Sequence, residues 1–114
     1  MKLDKGLLGG STLLMVLTLI QEKDRYGYEI IKELETRSDN VFQFKEGTLY
    51  PVLHKLENSG FVKSYIFKGD NGKERKYYQI TNKGKKQLAE ESEKWQIFSD
   101  SVKKVLGGEA NAFA

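Results

Sequence analysis

At Gly60 the sequence changes texture. Before it, apolar residues recur at helical spacing. After it, Phe61-Val62-Lys63-Ser64-Tyr65-Ile66-Phe67 is rich in β-branched and aromatic residues. A second run of the same kind, Glu74-Arg75-Lys76-Tyr77-Tyr78-Gln79-Ile80, follows it, and Gly69-Asp70-Asn71-Gly72 stands between the two. Asn-Gly between such runs is the strongest short signal for a hairpin. Past Thr81, a natural cap, helical spacing returns from about Asn82 to Leu106, where Gly107-Gly108 stops it. The chain is therefore mainly α with one small β-hairpin.

Three helices precede the hairpin. Leu13, Leu14, Val16, Leu17 and Ile20 predict a helix over about 12–23, capped by Ser11. It is apolar on most of its circumference and needs cover on more than one side. Tyr26-Gly27 breaks the chain, and Tyr28, Ile30, Ile31 and Leu34 mark a second helix to about Thr36, with Glu29, Lys32, Glu33 and Glu35 on its wet side. Ser38-Asp39-Asn40 is turn chemistry. The third helix, from about Gly47 to Ser59, carries the stripe Leu49, Leu53, Leu56. Thr48 is its expected N-cap, which places Pro51 in the first turn, where a missing N–H costs no helical bond, and Gly60 closes it. Helix, helix, helix, hairpin, long helix is the layout of a winged helix-turn-helix, whose third helix enters the DNA major groove while the hairpin wing reaches the backbone or minor groove. The expected organisation is a winged-helix DNA-binding domain over 1–81, a dimerisation helix over 82–108 and a frayed tail over 109–114.

Several function classes are excluded at this stage. With no cysteine, disulfides, thiol catalysis and cysteine-based zinc sites are ruled out, and one histidine rules out a multi-histidine metal site. His54 has no Ser or Asp at helical spacing to make a catalytic pair. Glu90 and Glu91, like Glu33 and Glu35, sit on amphipathic helices beside basic residues, as a solvated face does. Gly9-Gly10 and Gly107-Gly108 frame helix ends and cradle no phosphate. No catalytic residue, metal ligand or cofactor is expected, and the chain is not read as an enzyme. The run Leu13–Ile20 is too short for a bilayer, which needs about 20 apolar residues. Asp4 and the interruptions at Gly9, Gly10 and Ser11 do not suit a signal peptide, so a retained N-terminus and a cytoplasmic protein are expected.

Charge is unevenly distributed. Residues 41–86 hold 10 Lys/Arg against 4 Asp/Glu, a net of +6, whereas the segments before and after carry −1 and −2. A basic block between near-neutral flanks reads as an anion-contacting surface. On the third helix, Leu49, Val52, Leu53 and Leu56 share the buried face. Opposite lie Gly47, Pro51, His54 and Asn58, flanked by Tyr50, Thr48 and Lys55, with Glu57 alone at the edge. Hydroxyl, phenol, imidazole, ammonium and amide suit base edges and phosphates. Lys63, Lys68, Lys73, Arg75 and Lys76 decorate the hairpin and suit phosphate. Tyr77 and Tyr78 point to opposite faces. One packs inward and the other is free for DNA or the last helix, with Tyr77 counted among the DNA-contacting residues.

The last helix carries a heptad seam: Leu88 at a, Glu91 at d, Trp95 at a, Phe98 at d, Val102 at a and Val105 at d. With Leu14 and Leu17 of the first helix, this seam is expected to form a dimer core. Trp95 near the two-fold axis would offer indole faces to a planar aromatic ligand, with Phe98 beside it and Glu91 able to attract a cation.

Tyr26-Gly27-Tyr28-Glu29-Ile30-Ile31, the stretch Gly47-Thr48-Leu49-Tyr50-Pro51 through Gly60, and Lys73-Glu74-Arg75-Lys76-Tyr77-Tyr78-Gln79-Ile80-Thr81 together resemble the PadR family of bacterial transcriptional regulators. The likeness runs in order from Leu7 to about Leu106. It implies a homodimeric repressor on an inverted-repeat operator, of the short kind with a single long C-terminal helix. In some short members a tryptophan of that helix lines a pore between subunits and stacks planar aromatic compounds; Trp95 occupies a similar place. The leading expectation is a sequence-specific double-stranded DNA-binding regulator. The alternative is a protein-binding winged helix that does not touch DNA, against which the +6 block argues.

Overall fold

The computed structural model describes residues 5–107. Its elements are α1 (Lys5–Glu22), β1 (Arg25–Tyr26), α2 (Gly27–Arg37), α3 (Glu46–Asn58), β2 (Val62–Lys68), β3 (Glu74–Ile80) and α4 (Asn82–Val105). The tail expected at 109–114 lies outside the described residues.

Helix α1 is longer than its apolar run. It starts at Lys5 and passes through Gly9-Gly10, so Ser11 is an internal residue and not a cap. Glycine costs a helix interior about 1 kcal/mol against alanine, but it keeps its N–H and does not forbid the turn. Helix α3 also starts early. Its N-cap is Lys45, whose carbonyl accepts from the amides of both Thr48 and Leu49 at 3.0 Å. Thr48 therefore lies inside the first turn and does not cap. Pro51 is the sixth helical residue and removes one internal bond, the one its amide would give to the Gly47 carbonyl.

The sheet has three strands in the order β1-β3-β2, all antiparallel. β1 is only two residues long and pairs Arg25 with Tyr78 and Tyr26 with Tyr77, too short a strand to leave a periodic trace in the sequence. At the hairpin tip the Gly69 amide donates to the Lys73 carbonyl (3.2 Å) and the Gly72 amide to Gly69 (2.9 Å). Gly72 alone takes a left-handed φ of 77° there. The Asn-Gly pair thus closes a three-residue loop ending in a glycine bulge rather than a two-residue turn.

The core is built around α1. Val16, Leu17, Leu19 and Ile20 meet Ile30, Ile31 and Leu34 of α2, Leu49, Leu53 and Leu56 of α3, Val62 and Tyr78 of the sheet, and Leu88 of α4. Each fully buried aliphatic side chain contributes about 1.5–3 kcal/mol relative to exposure. Tyr78 points inward and Tyr77 outward, as strand alternation requires. Helix α4 joins this core only at its start. The Thr81 hydroxyl accepts from the Gly84 amide (3.0 Å) and donates to the Gly60 carbonyl (2.6 Å). A Cβ on Gly84 would lie 2.0 Å from the Phe61 carbonyl oxygen, so only glycine lets the helix sit this close. After Leu88 the helix leaves the body. The radius of gyration is 16.3 Å, against about 13 Å for a compact chain of this length, and the longest dimension is 57 Å.

Candidate nucleic-acid interface

Helix α3 is held by its apolar stripe and by the connection that enters it. Leu49, Leu53 and Leu56 are fully buried, which turns Thr48, Tyr50, Pro51, His54, Lys55 and Asn58 outward, and all six are exposed. In the connection, Asp39 and Asn40 adopt left-handed φ values of 51° and 67°, a conformation short polar side chains tolerate. The Asn40 amide donates to Glu35 (2.8 Å), and the Ser38 hydroxyl donates to Leu34 (2.6 Å) while accepting from the Phe42 amide (2.9 Å). Phe44 then drops into the core and fixes where α3 begins.

Tyr50 has a second duty. A Cβ on Gly27 would lie 2.7 Å from its phenol oxygen, so the ring rests on the first residue of α2. The Tyr-Gly pair at 26–27 and the tyrosine at 50 are thus one packing unit that sets the angle between α2 and α3. Glu57, the carboxylate at the edge of the outer face, is occupied. It accepts from the Ser64 hydroxyl (2.5 Å) and pairs with Lys76 (3.7 Å). The exposed strip of α3 from Thr48 to Asn58 therefore presents donors with its one carboxylate already neutralised.

The wing divides into two faces. Ser64 and Lys76 both reach Glu57, so the face that also carries Ile66, Lys68 and Glu74 is turned toward α3. Arg75 and Tyr77 lie on the opposite face with Tyr65 and Phe67. There Tyr77 meets Tyr26 edge-on (5.3 Å between centroids), Tyr65 stacked (5.8 Å) and Phe67 edge-on (5.8 Å), and the Arg75 guanidinium stands 4.6 Å above the Tyr26 ring. The Tyr65 hydroxyl donates to Asp24 (2.6 Å), which also accepts from Gln79 (3.2 Å). That hydrogen bond, helped by burial and the Asp24 charge, pushes the Tyr65 phenol up to about 12. Lys63, Lys68 and Lys73 stand exposed along the hairpin and at its tip.

The residues expected in a dimer core separate into two groups. Leu17 and Leu88 are covered within the chain itself, and Leu14 is half-buried beside them. Trp95 and Phe98 are 48% and 61% exposed, with centroids 6.0 Å apart and planes tilted by 33°; Val102 is exposed along the same helix. Glu91 accepts from Gln87 (2.9 Å) and pairs with Lys94 (3.8 Å). Leu14 also lines an apolar cavity of about 290 Å³ between α1, α2 and Phe42.

A charge cluster around the buried Arg25, at the end of α1, left no mark in the sequence. Arg25, 5% exposed, donates to the Leu19 carbonyl (2.8 Å), to Glu22 (2.9 Å) and to Glu33 (3.5 Å). Arg37 grips both Glu22 oxygens at 2.9 and 2.7 Å. Hydrogen bonds from Arg37, and then from Arg25, hold the Glu22 carboxyl at about 2 against the opposing effect of desolvation. Lone charged letters among charged neighbours carry no periodic signal, so only the fold reveals this cluster. Among the described residues, no three His, Asp or Glu side chains are placed to hold a metal, and no helix is long and apolar enough to cross a membrane.

Comparison with known proteins gives a consistent picture. The family model described as the transcriptional regulator PadR-like family matches residues 16–90. An uncharacterized protein of Lysinibacillus sphaericus is 47% identical over 94 residues, covering 82% of this chain and 86% of that one. The transcriptional regulator Rv3488 of Mycobacterium tuberculosis is 31% identical over 93 residues, covering 82% and 70%. The crystal structure of a PadR-like transcriptional regulator from Bacillus cereus superposes with a TM-score of 0.81 at 31% identity, covering 91% of this chain and 99% of that one.

Proposed function

The chain belongs to the PadR-like family of transcriptional regulators and is a DNA-binding winged helix; from that premise we propose that it is a homodimeric repressor acting on an inverted-repeat operator. It acts in the cytoplasm, where its DNA lies, and by binding rather than catalysis. The observation that carries this reading is the outer face of α3, where Thr48, Tyr50, Pro51, His54, Lys55 and Asn58 are all exposed. The engagement of Glu57 by Ser64 and Lys76 beside that face supports it. Lys73, Arg75, Lys76 and Tyr77 belong to the wing that flanks this helix on the DNA. Dimerisation rests on the bare apolar side of α4, and a two-fold dimer reads half-sites about 34–36 Å apart or a multiple of that. The test is footprinting on the DNA upstream of the protein's own gene, with gel shifts at two salt concentrations. Protection of two symmetric half-sites is expected. Equal binding to a random fragment of the same length would refute sequence-specific repression.

A second element of the proposal concerns control. The exposed Trp95–Phe98 pair offers a platform for a planar aromatic effector between subunits, with Glu91 nearby to favour a cation. Such a ligand releases DNA only if it prefers a dimer geometry that cannot span two half-sites. Trp95 is the only tryptophan, so its emission reports the site directly. Quenching by planar aromatic dyes is expected, and the dye's own emission change on binding is lost in a Trp95→Ala dimer that still binds DNA; unchanged tryptophan emission across a dye panel would remove the effector site.

A further inference from the structure

We propose that Arg75 acts in DNA binding as a positioning residue. Its guanidinium, held over the Tyr26 ring, clamps the wing to the start of α2 and so fixes the wing's angle to α3, instead of gripping phosphate itself. The proposal rests on the DNA-binding reading and adds a residue-level division of labour to it.

Three observations carry it. First, strand register puts Arg75 and Lys76 on opposite faces of the wing. Lys76 is turned toward α3, whereas Arg75 lies on the outer face, 4.6 Å from the centre of the Tyr26 ring. An arginine within about 6 Å of a tyrosine ring centre is held by the ring's quadrupole, and its planar group stacks where an ammonium would not. Second, Tyr26 is the residue that joins the wing to the helix pair. It pairs with Tyr77 in the sheet, caps α2 and meets the Tyr77 ring in a T-shaped contact. Gly27, the next residue, is where Tyr50 of α3 rests. The line Arg75–Tyr26–Gly27–Tyr50 therefore runs without a gap from wing to α3. Third, beyond the Ser64–Glu57 hydrogen bond and the Lys76–Glu57 ion pair on the inner face, little else holds the outer half of the wing. Ile66 and Phe67 are 62% and 53% exposed, so no core packing reaches past Tyr78. A two-stranded ribbon is marginal alone, and its direction must come from side-chain contacts on its face. The outer face supplies them: Arg75 on Tyr26, Tyr77 against Tyr26 and Tyr65, and the Tyr65 hydroxyl on Asp24.

The two roles for Arg75 differ in their salt dependence. A phosphate contact contributes about one unit to the slope of log affinity against log salt, whereas a positioning contact contributes none. The experiment measures that slope for the full-length protein on a random-sequence 40-base-pair duplex, and affinity on the fragment upstream of its own gene. Arg75→Gln, Tyr26→Leu and the double variant are compared with Tyr26→Phe and Lys73→Gln. Arg75→Gln and Tyr26→Leu are each expected to weaken binding to the upstream fragment about tenfold with the slope retained, and the double variant no more than either. Tyr26→Phe keeps the ring and is expected to bind as the parent does. Amide exchange is expected to accelerate across Ile66–Lys76 in Arg75→Gln while the amides of Val16–Ile20 stay protected, which shows that the fold is intact. A slope about one unit lower in Arg75→Gln, matching Lys73→Gln, or losses that add in the double variant, would overturn the positioning role and leave DNA binding standing. Failure of the parent protein to bind either duplex at low salt would overturn both.

Discussion

Gly84 shows how much one missing side chain can decide. Its ideal Cβ falls 2.0 Å from the Phe61 carbonyl oxygen and 2.9 Å from Ile80, and neither is the loose end of a flexible chain. Gly84→Ala must push α4 off the sheet, at a cost of about 3 kcal/mol. That is a large share of the roughly 5–15 kcal/mol typical of a domain, and it is measurable as a lower urea midpoint with little change in slope. Glu22 makes a different kind of prediction. Its carboxyl is lowered from 4.5 to about 2 by Arg37 and Arg25, so the native state favours the charged form. The stability this brings is fully present above about pH 4.5 and is lost as pH falls through about 2. Glu22→Gln is expected to lower stability at neutral pH and to flatten the decline between pH 4.5 and 2, followed by thermal denaturation across that range. The side chain is 42% exposed, so solvent screening keeps the effect modest.

At the scale of elements, the corner between α2 and α3 is the part most exposed to a small change. A methyl on Gly27 collides with the Tyr50 ring at 2.7–3.3 Å and displaces that ring from the start of α2. Gly27→Ala is expected to weaken DNA binding more than tenfold, and adding Tyr50→Phe, which removes the nearest atom, is expected to recover part of that loss; binding titrations of the single and double variants measure both. These elements also mark what could be read from letters alone. The Leu49–Leu53–Leu56 stripe and the two β-rich runs predict α3 and the hairpin because burial repeats at a fixed spacing. The same stripe, by subtraction, picks out Thr48, Tyr50, Pro51, His54, Lys55 and Asn58 on the exposed side of α3. Element starts were less legible. Ser11 and Thr48 are good caps by type, but α1 and α3 begin before them, and at α3 the Lys45 carbonyl takes the amides of Thr48 and Leu49. β1 is invisible because two residues have no period, and with it went Tyr26, whose contacts define the outer face of the wing. The split of Arg75 from Lys76 was available from strand alternation, but which face meets α3 depends on Glu57, a long-range contact.

The whole molecule is an incomplete body with an arm. The core closes around α1, yet Trp95, Ile97, Phe98, Val102, Val105 and Leu106 remain exposed on or just beyond the far part of α4. So many exposed apolar side chains on one helix of a small chain call for a partner. The parent protein is expected at twice 13.1 kDa by light scattering. Phe98→Asp with Val102→Asp is expected to give a monomer that keeps its helical circular dichroism, because neither residue touches the core. That monomer is expected to lose affinity for a two-half-site fragment far more than for a random duplex. The Gly84 seat then matters beyond stability. From Gly84 to Val105 the helix spans about 30 Å, and its direction is set at its seat, by a residue with no side chain. A swing of 10° there carries the tip about 5 Å, roughly the rise of one and a half base pairs. In the proposed dimer, two such helices joined at their tips would turn small angular differences at Gly84 into the distance between two α3 helices, the distance that half-site spacing measures.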